Sequence, residues 1–296
     1  MDKIIRCITS DGSVMASAID STDIVYTAQK IHQLTPVATA ALGRLLTASS
    51  LMGNMLKKED ATLTLKVDGG GPIGVVVAVA DSHGNCKGYV GNPQVQAENH
   101  ANGKLGVSRA VGRDGLLYVM RDFGEGEPYI GQTPLVSGEI AEEITSYYAV
   151  SEQIPTVCAL GVLTDKEDGQ LLLAGGLLIQ LLPAADEAAI SRLEQNIASL
   201  EPVTTMLAKG MQMEEICRRA LDGFEVEVLD EQSVAYRCNC SRERVVDAIR
   251  LLGKEEILSL ADEEKGYAEA TCQFCDKVFH ISQEELNKIA EEKEKN

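Results

Sequence analysis

Two short cysteine pairs, Cys238-Asn239-Cys240 and Cys272-Gln273-Phe274-Cys275, stand 31 residues apart near the C-terminal end of the chain. Thiolate sulfur is a soft donor, and two such pairs can meet at one tetrahedral centre, the arrangement zinc adopts with four sulfurs. The spacing predicts one Zn2+ held by Cys238, Cys240, Cys272 and Cys275 in their reduced state. Free core cysteines are the weaker alternative, because all four fall at turns and at the ends of short segments. A bound metal keeps sulfur as thiolate, the form that oxidants attack, so such a centre can be an inert clamp or an oxidant sensor. Most four-cysteine sites are clamps, and spacing alone does not separate the two. The Cys-x-Cys half leans toward sensing, since a disulfide across one residue closes a tight ring of the reducible kind.

Other candidates carry less. Cys7, Cys86, Cys158 and Cys217 are isolated in the sequence and read as small buried hydrophobes rather than ligands. His280, five residues past Cys275, reads as a strand residue rather than a spare ligand, and His32, His83 and His100 have no partner visible in the sequence. Gly69-Gly70-Gly71-Pro72-Ile73-Gly74 satisfies the glycine spacing of a dinucleotide loop, but VVVAVA follows it where a helix is required, so a hairpin turn is the better reading. There is no phosphate-cradling G-x-x-x-x-G-K-[ST] segment, and no catalytic set of side chains can be assembled. The sequence therefore reads as a non-enzyme that uses no nucleotide.

The elements that must position the cysteines fall into three parts. Residues 1–183 alternate strand-like and helix-like pieces: strands at 3–9 and 14–19, a long small-residue helix from Pro36, then glycine-punctuated strands from Thr62 to Pro134. A helix over 137–153 and two further strands at 157–163 and 171–182 complete an N-terminal mixed α/β core domain. Residues 184–227 read as a helical linker, in which Ile190, Leu193, Ile197 and Leu200 recur at helical steps and lack any partner surface nearby in the sequence. Residues 228–296 form a small C-terminal zinc-binding domain, with a helix capped by Ser241, a short helix at 254–260, a cysteine-bearing hairpin over 267–281 and a charged final helix opened by Ser282 and Glu285. The tail from Glu291 is expected to fray. The fold class is α+β. A C-terminal segment of this size has few large apolar side chains, so metal binding must supply much of its folding free energy.

Composition excludes several classes of partner. The 296 residues carry a formal net charge of −18, and acids outnumber bases both before and after residue 230. Phosphate-backbone binding draws on Lys and Arg, so nucleic acid is disfavoured; the local cluster Arg237, Arg242, Arg244 and Arg250 offsets thiolate charge instead. The most apolar run, 171–185, is broken by Gly175, Gly176, Gln180 and Pro183 and is too short to span a bilayer. No signal-peptide pattern opens the chain, and eight cysteines without one point to a reducing, cytoplasmic setting.

RCNCSRERV and CQFC, with VATAALGRLLTASSLMG, DGGGPIG, PLVSGEIAEEITSYYAVSEQIPT and AGGLLIQLLP, resemble the redox-regulated bacterial holdase chaperones of the heat shock protein thirty-three family over nearly the whole chain. The resemblance implies an ATP-independent chaperone, inactive when reduced and zinc-bound, that binds unfolding client proteins under oxidative stress. It also implies redox disulfides Cys238–Cys240 and Cys272–Cys275, loss of zinc with destabilisation of the helical linker, and a homodimer in the oxidised state. Two other classes stay open from the residues alone: a thiol-disulfide oxidoreductase using CQFC, and a zinc-ribbon interaction module.

Overall fold

The structure, a computed structural model, describes residues 1–101, 103–262 and 265–292. The chain divides into two compact units, Met1–Arg237 and Cys238–Asn296.

The first unit opens with a hairpin of β1 (Asp2–Thr9) and β2 (Val14–Asp20), turned at Asp11-Gly12. Asp11 accepts the Ser13 backbone N–H at 2.9 Å, an Asx-type turn that the sequence advertises. Helix α1 (Thr22–His32) follows, which the sequence pattern left unassigned. Its N-cap, Ser21, makes no side-chain cap bond; the carboxylate of Asp2 on β1 accepts the N–H groups of Asp23 and Ile24 instead, at 2.9 and 2.7 Å. Asp20 accepts the Thr22 N–H at 3.0 Å, so one local cap accompanies the two from β1.

Helix α2 (Pro36–Gly53) is the expected small-residue helix, and nearly every residue of it is buried. It begins at Pro36 because Thr35 accepts the Ala38 N–H and proline is favoured in the first turn. The hydroxyls it buries are bonded: Thr39 accepts from Gln29 Nε2, Thr47 donates to Gly43 O, Ser49 to Leu46 O and Ser50 to Gly84 O. It ends at Gly53, a position at which an added Cβ would sit 2.7 Å from Ala80.

The meandering sheet anticipated over 62–134 consists of β3 (Thr62–Gly70), β4 (Val75–Asp81), β5 (Cys86–Val90), β6 (Gly112–Asp122) and β7 (Tyr129–Pro134), in the order β5-β4-β3-β6-β7. A five-residue helix, α3 (Val107–Val111), precedes β6. The glycine run 69–74 is the β3–β4 turn. At Gly71 a Cβ would lie 2.3 Å from Ala110 O, so two backbones touch where a nucleotide would have needed access. Residues 137–153 are helical as expected but divided: α4 (Ile140–Tyr147) loosens into a single wider π turn at 148–152. The buried Glu143 carboxylate accepts the Val136, Ser137 and Gly138 N–H groups and so stitches the loop before α4.

Strands β8 (Thr156–Thr164) and β9 (Leu171–Leu181) complete a second sheet, ordered β10-β1-β2-β9-β8. Helix α2 lies between the sheets, touching β4 and β5 on one side and β8 and β9 on the other. The outer face of this second sheet receives the connector helices α5 (Glu187–Ser199), α6 (Val203–Ala208) and α7 (Met213–Ala220). Their missing partner surface is thus Ile5, Cys7, Val14, Ala16, Ala18, Leu177 and Ile179, which join Leu193, Met206, Leu207, Ile216 and Cys217 in one buried cluster.

Strand β10 (Val226–Val234) belongs to the first compact unit, and residue 228 lies within it. β10 runs antiparallel to β1, with Arg6 paired to Asp230 and Lys3 to Glu231. Its burial pattern is mostly exposed, so it carries no hydrophobic alternation by which to be recognised.

The second unit comprises α8 (Arg242–Leu251), α9 (Lys254–Ser259), the hairpin β11 (Tyr267–Thr271) and β12 (Val278–Ser282), and α10 (Gln283–Glu292). Ser241 caps α8 by accepting the Arg244 N–H, and Ser282 accepts the Glu285 N–H at the start of α10. Glu291 and Glu292 belong to α10, and the rest of the expected frayed tail lies outside the described residues. Ile249, Ile257, Ala268, Ile281, Leu286, Ile289 and Ala290 form its small core. Among the described residues no helix is long and apolar enough to cross a membrane.

Candidate metal centre

The second unit brings the two cysteine pairs together from separate pieces of chain. Cys238 and Cys240 lie in the connection between β10 and α8; Cys272 and Cys275 occupy the turn of the β11–β12 hairpin. That turn is a tight knuckle. Cys275 N–H and Asp276 N–H both donate to Cys272 O, at 3.3 and 2.8 Å, and Cys272 N–H donates to Lys277 O at 3.0 Å. Asp276 holds φ at +55°, the left-handed position such a turn demands and one that Asp tolerates better than most residues.

The four sulfurs lie within 4.8 Å of one another. Cys238 and Cys272 approach to 3.6 Å, and Cys240 and Cys275 to 3.4 Å. These are non-bonded separations, far longer than a disulfide's roughly 2.05 Å. A zinc ion with sulfurs at about 2.3 Å in a tetrahedron sets them about 3.8 Å apart, so the observed cluster fits that donor geometry with little adjustment. The cluster is able to hold a metal ion.

The local electrostatics favour thiolate unevenly. At Cys272, burial works against ionisation, yet the backbone N–H groups of Phe274 and Cys275 and the neighbouring thiols outweigh it and hold the group below the ordinary thiol range. Burial together with hydrogen bonds to the other three thiols pushes Cys240 up to about 12, and burial raises Cys275. Four crowded thiols without a cation cannot all ionise; a divalent ion would reverse that order by neutralising their mutual repulsion.

The remaining candidates fall outside the cluster. His280 stands on β12 and stacks on Tyr267 with ring centroids 4.6 Å apart. His32 contacts Gly88 O at 3.0 Å, His83 approaches Glu59 and His100 approaches Glu139, so each has a partner that the sequence did not reveal. Of the basic cluster, Arg242 is paired with Glu285, and Arg250 with Asp247 and Glu292. Burial raises the thiols of Cys86 and, to about 12, of Cys158. What sequence reasoning missed near the cluster is its upstream attachment. Only Ala235, Tyr236 and Arg237 separate Cys238 from β10, and Tyr236 hydroxyl donates to Gly88 O at 3.0 Å.

An α+β core bearing amphipathic helices on one sheet face, followed by a small unit with a four-cysteine cluster able to hold a metal ion, defines a two-part cysteine-cluster protein. A family model described as "Hsp33 protein" matches residues 2–282, and the chain belongs to that family. It is 48% identical to the 33 kDa chaperonin of Clostridioides difficile strain 630, across 98% of this chain and 99% of that protein. It is 46% identical to the 33 kDa chaperonin of Acetivibrio thermocellus, across 97% and 96% respectively. The crystal structure of the 33 kDa chaperonin of Thermotoga maritima superimposes with a TM-score of 0.88 at 32% identity, covering 99% of each chain. Family membership places the chain among chaperones rather than enzymes.

Proposed function

We propose that the protein is an ATP-independent holdase that binds unfolding client proteins under oxidative stress, held inactive by a reduced, zinc-bound cysteine cluster and activated when that cluster oxidises. The single observation that carries this reading is the convergence of Cys238, Cys240, Cys272 and Cys275 in a unit with so small an apolar core. Bound zinc would supply a cross-link between the segment before α8 and the hairpin turn, holding all four sulfurs as thiolates. The rest of the behaviour resides in the chain. Oxidation closes Cys238–Cys240 and Cys272–Cys275, each pair giving up two electrons and two protons to a peroxide that becomes water. Pairing within each short segment is favoured because those partners stay neighbours even when the unit unfolds; the cross-pair contacts exist only while it is folded.

Without its cross-link, the second unit keeps too little buried apolar surface to offset its conformational entropy and unfolds. Its first cysteine is joined to β10 by three residues, and β10 in turn follows α7, so disorder spreading upstream reaches the connector. Connector residues such as Leu193, Met206 and Ile216, once off the sheet, offer an apolar surface for clients. The active form is a homodimer, and the setting is the cytoplasm.

The test combines three readings on one sample: zinc content, free-thiol count and aggregation of an unfolding client, before and after peroxide with mild heat. Zinc loss, loss of four thiols and newly acquired suppression should coincide. Suppression gained while zinc is fully retained refutes the coupling.

A further inference from the structure

Methionine is sparse in most of the chain, yet three of its eight, Met206, Met211 and Met213, fall within eight residues at the junction of α6 and α7. All three belong to the cluster between connector and sheet: Met206 is 0% and Met213 7% exposed, and Met211 packs half-buried against the same cluster. The junction is built around Met206, whose carbonyl accepts the N–H groups of Lys209 and Met211, both at 3.2 Å, while Gly210 between them takes φ of +80°. Helix α6 is seated on glycines of the sheet. A Cβ at Gly161 on β8 would lie 2.6 Å from Thr204 Cγ2, and one at Gly175 on β9 would lie 2.7 Å from Leu207 Cδ1. A helix seated this closely cannot admit an added atom beneath it without lifting. We propose that Met206, Met211 and Met213 form an oxidant-responsive modification site, whose sulfoxides keep the connector from re-docking after the cysteines have been reduced.

Leucine or isoleucine would fill these positions equally well but offers an oxidant nothing; a thioether sulfur is a nucleophile. With a hydroperoxide as oxidant, the sulfur lone pair attacks one peroxide oxygen, the S–O bond forms and the O–O bond breaks. The proton on the transferred oxygen passes to the departing hydroxide. The sulfur loses two electrons, and one hydrogen peroxide becomes one sulfoxide oxygen and one water.

Burial sets the order of events. In the docked connector Met206 is shielded and Met213 nearly so, and both become accessible once α6 and α7 leave the sheet. Each sulfoxide then carries a strong hydrogen-bond acceptor, whereas the cluster it must re-enter is apolar, so return to the sheet strips that oxygen of water without replacing its partners. Thiols that reduce disulfides leave sulfoxides in place, and these await a dedicated reductase. The connector thus has a slower reset than the cysteines, and client binding outlasts the oxidant. That last consequence rests on the holdase reading above; the modification and its effect on docking do not.

Full-length, zinc-loaded protein is exposed to hydrogen peroxide at mild heat, and tryptic peptides are mapped by mass spectrometry with Met120, 36% exposed on β6, as internal reference. Met206 and Met213 are expected to gain oxygen along with Met120; their recovery unmodified when Met120 is fully converted overturns the proposal. The same sample then receives dithiothreitol and Zn2+ to restore the cysteine cluster, and hydrogen exchange is followed over residues 203–221. Exchange several-fold faster than in never-oxidised protein is expected, returning to the starting rate after treatment with methionine sulfoxide reductases of both stereospecificities. Exchange already at the starting rate before the reductases act overturns the proposal. Protein carrying Met206→Leu, Met211→Leu and Met213→Leu together, compared with its own rate before oxidation, is expected to regain protection on thiol reduction alone; persistent fast exchange there assigns the effect to other residues and also overturns it. Client suppression should persist in re-reduced wild type for as long as exchange stays fast. If no oxidised form suppresses aggregation, the holdase reading fails while the peptide map and exchange still decide the modification.

Discussion

Arg242 holds Glu285 with both of its terminal guanidinium nitrogens, the Nη1 contact being 2.7 Å. The pair ties the helix that follows Cys240 to the helix that follows the hairpin of Cys272 and Cys275. The two sequence segments that carry the sulfurs are thereby aligned by charge as well as by the small core of the second unit. The pair is solvent-exposed, so its contribution is modest and screened by salt.

Glu285→Gln is therefore expected to leave metal binding intact and to speed metal transfer to a chromophoric chelator only slightly at low salt, with no difference at high salt. A large, salt-insensitive acceleration would mean that the pair positions the cysteines rather than merely steadying them.

Cys272→Ser removes the ligand whose environment most favours thiolate. Structural zinc contributes roughly 10–16 kcal/mol of apparent binding free energy near pH 7, more than this small core can replace. Residues 238–292 are expected to lose amide dispersion and exchange protection in NMR spectra, while signals from the first unit persist. A folded second unit in zinc-free Cys272→Ser protein would show that metal does not hold it together.

Ile216, fully buried on α7, packs into the cluster between connector and sheet. Its truncation to Ala is expected to cost about 2–5 kcal/mol of local stability through lost contact and a residual cavity. Faster hydrogen exchange over 213–220 should accompany it, together with partial suppression of client aggregation by the reduced protein. Normal exchange with unchanged inactivity would detach the connector from the switching scheme.

Asp2 supplies a pH dependence that can be followed by unfolding. Burial pushes its carboxyl up to about 7, although the N–H groups of Asp23 and Ile24 pull the other way. An unfolded Asp ionises near 4, so between about pH 4 and 7 the folded chain binds the extra proton. Its contribution is complete below that window and is lost as pH rises through it, a change of order 4 kcal/mol at most. Asp2→Asn should flatten the decline in denaturant midpoint of the first unit between pH 5 and 8; parallel profiles would rule the carboxyl out.

The same carboxylate illustrates what was and was not legible. Helices α2 and α8 announced themselves through Pro36 and Ser241, because their caps, Thr35 and Ser241, lie within three residues of the N–H groups they satisfy. Helix α1 did not: only its Thr22 N–H is satisfied locally, by Asp20, while the Asp23 and Ile24 N–H groups are satisfied from β1. Strand β10 was equally silent: its partner β1 lies at the opposite end of the chain, and exposed acidic residues mask its period.

By itself the sequence determined the chemistry that depends on short spacing: the four sulfurs, the knuckle turn, the absence of a nucleotide loop, the helical periodicity of the connector. Donor softness, ring closure and capping act over a few residues, so residue order is enough to specify them. Only the tertiary structure decided which surface receives the connector, where the first unit ends, and that β10 pairs with β1. Those outcomes rest on contacts between segments far apart in the chain, where many pairings satisfy the same local pattern and only simultaneous packing selects one.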